Sequence, residues 1–348
     1  MTRYEVLSDD AMATIERGWR RLLQEIGVAF HHPEALQHFR DAGQTVEDEV
    51  VRFDPDFVLE QVAKAPSEFT LHARSPDRSF PVGGDAMVFI PVQGPPFVRE
   101  GAVRREATFD DYRRFTKLAQ VYDDFDTAGG LVVEPNDLPL DSRHLDMQLA
   151  LLTLTDKPYG GSQVSLTGAR DSLAMAGMAF GGADALAREP ALYTVVNANS
   201  PLLYDERMLD SLLAYAAAGQ PAIITPFLLM GAMSPASIPS ALVQQTAEAL
   251  AGVALAQLVR PGTPVVLGSF LSHTDMQSGS PGFGGPESAI GLLCSGQIAR
   301  RLALPWRSGG GSLTSSQVPD GSCQPRTGTV AKLGFPVTLP PDGTRYRG

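Results

Sequence analysis

The sequence predicts an α/β chain built on a (β/α)8-type TIM barrel, preceded by a small N-terminal α+β domain. Three observations predict it. Beyond about residue 120, strand-like apolar runs alternate strictly with helical patterns, which produces parallel strands joined by crossover helices. No GxGxxG follows the first of these strands, so the dinucleotide-binding version of the pattern lacks its signature. The 348 residues accommodate a barrel of roughly 250 residues plus an appended domain.

In chain order, Ser8 and Asp9 are cap candidates, and Met12, Ile15, Trp19, Leu22, Leu23 and Ile26 follow at spacings of three and four. That pattern predicts an amphipathic helix over residues 8–26, closed by Gly27. A shorter helix is predicted from Pro33 to Asp41, stopped at Gly43, and a third begins after Asp54 with Pro55 in its first turn. From Phe69 to Arg105, short alternating runs broken by Pro and Gly read as a small antiparallel sheet, with Met87 to Ile90 its clearest strand. Thr108 caps the next helix, with Asp110 and Asp111 where the helix dipole favours them. Residues 1–120 are therefore expected to form the N-terminal domain.

Barrel strands are predicted near residues 127–133, 158–163, 191–197, 221–228, 264–270 and 305–309. Helices are predicted near 141–154, 167–180, 205–218, 239–258 and 287–302. Six strands fall short of a closed barrel, so the barrel over residues 121–320 is expected to be incomplete, with an open edge beside its sixth strand. Residues 322–348 hold four Pro and four Gly without helical period, and 321–348 is expected to be a disordered tail.

The helix near 239–258 carries Leu242, Val243, Ala247, Leu250, Val253, Ala254, Leu255 and Leu258 around more than one face. Such a helix is covered on both sides, either by deep packing or by a second subunit. Between residues 221 and 298 the only charges are Glu248, Arg260, Asp275 and Glu287.

The net charge of −11 argues against a nucleic-acid partner. Cys294 and Cys323 sit in no metal or redox spacing, which points to a reducing compartment. Met1 to Tyr4 do not open a signal peptide, and no uninterrupted apolar run approaches the roughly 20 residues of a membrane span. A cytoplasmic protein with no membrane partner is expected.

Longer motifs add to this. Residues 204–235 read YDERMLDSLLAYAAAGQPAIITPFLLMGAMSP, and residues 241–270 read ALVQQTAEALAGVALAQLVRPGTPVVLGSF. DMQSGSPGFGGPE follows at 275–287, and GQIARRLALPWRSGGGSLTSSQVPD at 296–320. With EIGVAF and APSEFTLHAR upstream, this succession resembles the trimethylamine methyltransferase family over residues 5–320. The resemblance implies an α/β barrel that moves a methyl group from a methylated amine to the cobalt of a corrinoid carried by a separate small protein. The chain itself would hold no cofactor. Every position is a standard residue, so members lacking pyrrolysine are the nearer comparison, and at least some of those use quaternary amines such as glycine betaine. A homo-oligomer is expected. There are two departures. The family continues past the point matching Asp320, where a shifted reading frame or a degraded gene copy would account for the different tail. The loop Ser272, His273, Thr274, Asp275 has His where the family is expected to have Asn, a change that would retune the substrate.

Barrel chemistry sits at the C-terminal ends of strands, which here carry Glu134, Gln163, Asn197, Asn199, Phe227, Phe270, His273, Asp275 and Gly309 to Ser312. A quaternary ammonium has no N–H to donate. Aromatic faces and a carboxylate at moderate distance must recognise it, each cation–π contact contributing about 0.5–2 kcal/mol. Phe227, Phe270, Phe283, Tyr204 and Trp306 are the aromatic candidates, with Gln163 and Asn199 as polar neighbours. Asp275 and Glu287 would balance the charge, and His273 would orient a substrate carboxylate. Each has a structural alternative: the strand Phe residues and Trp306 as core, Asp275 and Glu287 as caps of the helix near residue 287. Gly309, Gly310, Gly311 and Ser312 would admit a corrinoid ring, cradle a phosphate, or only let the chain leave its strand. The histidines at 31, 32, 38, 72 and 144 show no metal-ligand spacing, so no metal is expected.

Two other readings compete. A phosphate-binding barrel such as an aldolase is disfavoured, because Lys64, Lys117, Lys157 and Lys332 fall at no C-terminal strand end. A truncated, non-catalytic relative would expose a strand edge and apolar core, and would tend to associate.

Overall fold

The computed structural model describes residues 5–308, apart from 101 and 284, together with 331–333. The chain opens with α1 (Asp9–Arg21), a π-helical turn (Leu22–Ile26), β1 (Val28–Phe30), α2 (Pro33–Asp41), β2 (Thr45–Glu47), β3 (Val50–Arg52) and α3 (Pro55–Val62). Local chemistry sets the helix starts. The side chains of Ser8, His32 and Asp54 accept from Ala11, Ala35 and Asp56 backbone N–H groups, and Pro stands in the first turn of α2 and α3.

Two hairpins follow, β4 (Glu68–Leu71) with β5 (Phe80–Gly83), then, beyond β6 (Val88–Ile90), β7 (Phe97–Glu100) with β8 (Val103–Glu106). The single antiparallel sheet expected over residues 69–105 does not form, because β6 leaves its neighbours to join the barrel strands. α4 (Phe109–Val121) starts in a capping box between Thr108 and Asp111.

The alternating part comprises α5 (Arg143–Leu154), β9 (Tyr159–Gly160), α6 (Leu166–Ala179), α7 (Ala183–Arg188), β10 (Leu192–Ala198), β11 (Leu203–Tyr204), α8 (Glu206–Ala217) and β12 (Ala222–Met230). It continues with α9 (Ile238–Val259), β13 (Val265–Thr274), β14 (Pro281–Gly282), α10 (Pro286–Arg301), β15 (Trp306–Ser308) and β16 (Ala331–Leu333). Strands β9, β10, β12, β13 and β15 lie side by side and parallel. The edge expected to lie open beside the sixth predicted strand is paired: β16 runs antiparallel to β15, and β6 antiparallel to β16.

The first predicted barrel strand, 127–133, is not a strand. Its place is held by isolated hydrogen bonds, from Ala128 N to Pro158 O, Gly160 N to Gly129 O and Asp126 N to Phe89 O, each 2.9 Å. These tie β9 at one end of the sheet to β6 at the other. Gly130 explains the irregular path, since a Cβ there would lie 2.8 Å from Gly160 O.

One apolar cluster runs from Ile15, Trp19 and Phe30 through Leu250 and Val253 to Ile298 and Trp306. The N-terminal helices and the outer layer of the sheet thus share a core, and β11 extends the N-terminal sheet by pairing with β1. This resolves the reading of α9. It is long and apolar enough to cross a membrane, yet β12 and β13 cover one side and α1, α2 and α3 the other. Its cover comes from the same chain.

The β4–β5 hairpin closes the opposite end of the sheet from the strand C-termini. Leu71 and Val82 pack against the inward residues Tyr193, Val195, Ile223 and Val266. His72 N donates to Pro190 O and Arg74 N to Asp156 O, just before β10 and β9 begin.

Candidate functional site

With that end plugged, the approach to the interior lies at the C-terminal rim, where predicted candidates meet. Period-two alternation places Phe227 and Phe270 on the inward face, and register makes them direct neighbours. Their rings stack at 4.3 Å with 15° between planes, and Phe283 meets Phe270 edge-on at 5.4 Å. All three side chains are half-buried. Each stacked ring covers one face of the other, which leaves a second face of Phe227 outside the stack.

His273, Asp275 and Glu287 belong to the arm beyond these rings. β14 folds back on β13 at His273 and Thr274. His273 Nδ1 lies 3.6 Å from Glu287 Oε2, and the ring occupies space that side chains at Gly282 and Gly285 would fill. Asp275 is exposed and serves its own loop: its carboxylate accepts from Gln277 N at 2.9 Å. That bond, with Ser278, holds its pKa below the ordinary carboxylate value.

Gln163 lines a separate cavity of about 410 Å³ at the same rim, above β9, together with Gln93, Glu134, Arg143, His144 and Tyr193. Gln163 Oε1 accepts from Val195 N at 3.2 Å. Arg143 faces Glu134 at 3.7 Å, and His144 Nε2 meets Asp171 Oδ2 at 2.8 Å. Tyr193 is buried with its hydroxyl 3.3 Å from Thr127 Oγ1, and burial raises its pKa.

Three expected site residues are elsewhere. Tyr204 is fully buried between β11 and β1, stacked on Phe30 at 5.4 Å, and donates to Glu248 O at 2.8 Å. Trp306 is 5% exposed and packs outward against Gly296 of α10. Neither can touch a ligand. Asn199 spends its amide on the α8 cap, donating to Asp205 Oδ2 and accepting from Asp205 N. Gly309, Gly310, Gly311 and Ser312 lie outside the described residues.

Other groups escaped the sequence reading. Glu248 is buried in α9 and accepts from Ser200 Oγ, Leu202 N and Gln244 Nε2. Arg307 turns inward from β15, with Nη1 3.4 Å from Thr225 Oγ1. The sequence carried no mark of this, because Trp306 beside it was itself a site candidate. Lys157 is structural, its Nζ donating to Ala119, Tyr122 and Phe125 carbonyls at the end of α4. Among the described residues, no group of three His, Cys, Asp or Glu is placed to hold a metal.

Comparison with known proteins places this geometry in context. The profile described as trimethylamine methyltransferase (MTTB) matches residues 1–329, past the Asp320 at which the likeness was expected to stop. The chain is 42% identical over 319 residues to a glycine betaine methyltransferase of Desulfitobacterium hafniense (strain Y51), covering 91% of this chain and 67% of that protein. It is 30% identical over 300 residues to a proline betaine:corrinoid methyltransferase of Eubacterium limosum, covering 83% and 61%. The fold resembles the monomethylamine methyltransferase MtmB of Methanosarcina barkeri, with TM-score 0.57 and 12% identity over 86% of this chain and 61% of that one. The chain therefore spans about two thirds of the length of the curated relatives it matches.

Proposed function

Because this chain belongs to the trimethylamine methyltransferase family, we propose that it transfers a methyl group from a methylated, quaternary amine to a corrinoid carried by a separate small protein. The observation that carries this reading is the aromatic group at the C-terminal rim, Phe227 and Phe270 stacked and Phe283 edge-on. An ammonium without N–H groups is held by ring faces rather than by hydrogen bonds. Both betaine methyltransferases among the relatives act on substrates of that kind by name.

A reduced corrinoid on the partner protein would supply the electron pair for the new bond to the methyl carbon. The C–N bond breaks with its electrons left on nitrogen, so the amine departs neutral and no side chain has to move a proton. What remains for this chain is to bind, to orient the methyl group in line and to keep water away. Phe227 would face the ammonium. His273, tied to Glu287, would shape the outer edge of the site, and Asp275 would set its loop. The cavity bearing Gln163, Glu134 and Arg143 would admit the substrate.

The reaction would run in a barrel whose last places are taken by β16 and β6 instead of further βα units. A reducing, cytoplasmic setting fits the buried free thiol of Cys294.

The test combines the purified chain, a reduced corrinoid protein and glycine betaine, carnitine or trimethylamine in turn. The demethylated amine should appear together with a change in the corrinoid spectrum, and fastest with a quaternary substrate. Absence of both signals with every methylated amine overturns the proposal.

A further inference from the structure

A cavity of about 390 Å³ opens at the end of the sheet opposite the aromatic rings, against the turns that lead into β10, β12 and β13. Among the described residues its wall carries His72, Arg188 and Arg260 and no Asp or Glu. The chain as a whole holds 39 acidic and 28 basic residues, so a wall with cations of this kind and no carboxylate runs against its composition. The volume falls in the range of small-molecule sites, about 300–1,000 Å³.

Helices α7, α8 and α9 end here, and the partial negative charge of helix C-termini is the ordinary reason for basic residues in such a place. That need is already met. Gln220 Nε2 donates to Leu186 O, Thr263 Oγ1 and Gly219 N donate to Ala216 O, and Arg260 donates to Ala187 O and Ala217 O. The two Arg260 bonds, each 3.2 Å, fix its guanidinium. A Cβ on Gly219 would lie 2.9 Å from Nη1, so the bare turn is what lets the guanidinium sit there. Its remaining N–H groups, and the whole of Arg188 exposed at the end of α7, exceed what capping requires.

The backbone offers little to a ligand. Pro190, Pro261 and Pro264 have no N–H, and those of His72, Gly219, Gly262 and Thr263 are spent on Pro190 O, Ala216 O, Gln257 Oε1 and Arg260 O. Recognition therefore falls to side chains, with cations foremost.

We propose that this cavity binds a soluble, phosphate-bearing small molecule, its phosphate held by Arg260 and Arg188 with His72 and Thr70 as further donors. An arginine fork matches the spacing of phosphate oxygens, and a fork already fixed loses little freedom on binding. Phe69 and the three prolines wall the rest of the cavity and would face the organic part. Because the β4–β5 hairpin supplies one wall and the helix ends the others, the ligand would tie the hairpin to the sheet. The site is independent of the methyl-transfer reading, whose residues stand at the other end of the strands.

Calorimetric titration of the full chain, at ionic strength fixed with chloride, tests it with inorganic phosphate and phenyl phosphate. Both should bind, the ester more tightly, and both should raise the unfolding midpoint. Arg188→Gln should weaken both by roughly tenfold while leaving the ligand-free midpoint unchanged, and Arg188→Glu should abolish binding. His72→Gln, which keeps a donor, should cost less affinity than His72→Phe. Were Arg188 there only to offset the end of α7, Arg188→Gln would lower the ligand-free midpoint and leave phosphate affinity as it was, which overturns the assignment. So do a wild type that binds neither probe at millimolar concentration, a midpoint that rises as much with chloride, and binding to phosphatidylglycerol vesicles but to neither soluble probe.

Discussion

The ring of Phe227 lies nearly parallel to that of Phe270, centroids 4.3 Å apart, so each covers one face of the other and Phe227 has a second face outside the stack. Phe227→Leu should therefore weaken tetramethylammonium binding by roughly tenfold, about the strength of one desolvated cation–π contact. Phe270→Leu should weaken it less. Titration calorimetry reads both, and equal losses for the two variants would assign the effect to packing instead.

Gly18 of α1 touches α9 so closely that a Cβ on it would lie 2.6 Å from Val243 Cγ2. Gly18→Leu should push α1 off α9 and destabilise the fold by about 2 kcal/mol, the usual cost of overpacking. Because the two helices share one core, a single lowered unfolding transition is expected. A separate early transition of the first hundred residues would mean that the N-terminal region folds on its own.

Glu248 is buried, and its pKa is raised above the ordinary carboxylate value by desolvation against three hydrogen bonds. As pH climbs past that ordinary value, the unfolded chain releases the proton first, so native stability falls until the folded-state value is passed. Glu248→Gln should flatten this decline. Unfolding midpoints from about pH 4.5 to about pH 8 test it: wild type should lose ground relative to the variant as pH rises. The opposite trend would show that the hydrogen bonds outweigh burial.

Asp111 behaves in the contrary sense. Arg105 donates to it at 2.5 and 2.8 Å and Thr108 adds a backbone and a hydroxyl donor, holding its pKa well below the usual range. Its contribution is complete above the ordinary carboxylate pKa and disappears as pH falls through the lowered one. Asp111→Asn should cost about 1 kcal/mol at neutral pH, mostly through the cap, since Arg105 is solvent-facing. The gap from wild type should close in acid; a constant gap would point to packing.

Much of the fold was legible because its signals are local. Ser8, Asp54 and Thr108 start helices within three residues of themselves, and the later parallel strands announce themselves as apolar runs between helices. Pairings distant in sequence were not legible. Nothing near residue 88 says that β6 will close on β16, or that Gly129 and Gly130 will break an apolar run into a bend. The site divides the same way. Phe227 and Phe270 stand together near a strand end because position and alternation agree. Tyr204 and Trp306 failed because an aromatic near a strand end carries no mark of facing inward, and the partner of Tyr204, Phe30, lies 174 residues away. Arg307 was overlooked inside a recognised motif, because its inward turn follows only once Trp306 is seen to pack outward.

The β4–β5 hairpin covers the end of the sheet opposite the aromatic rings, so among the described residues the way in lies at the C-terminal rim. A macromolecule seated over that doorway shuts in whatever arrived before it and shuts out everything else. On the proposed reaction, the order of events would be set by shape: small molecule in, large partner on, large partner off, small molecule out. Turnover should consequently slow when the large partner is raised to excess, and recover when the small molecule is raised to match.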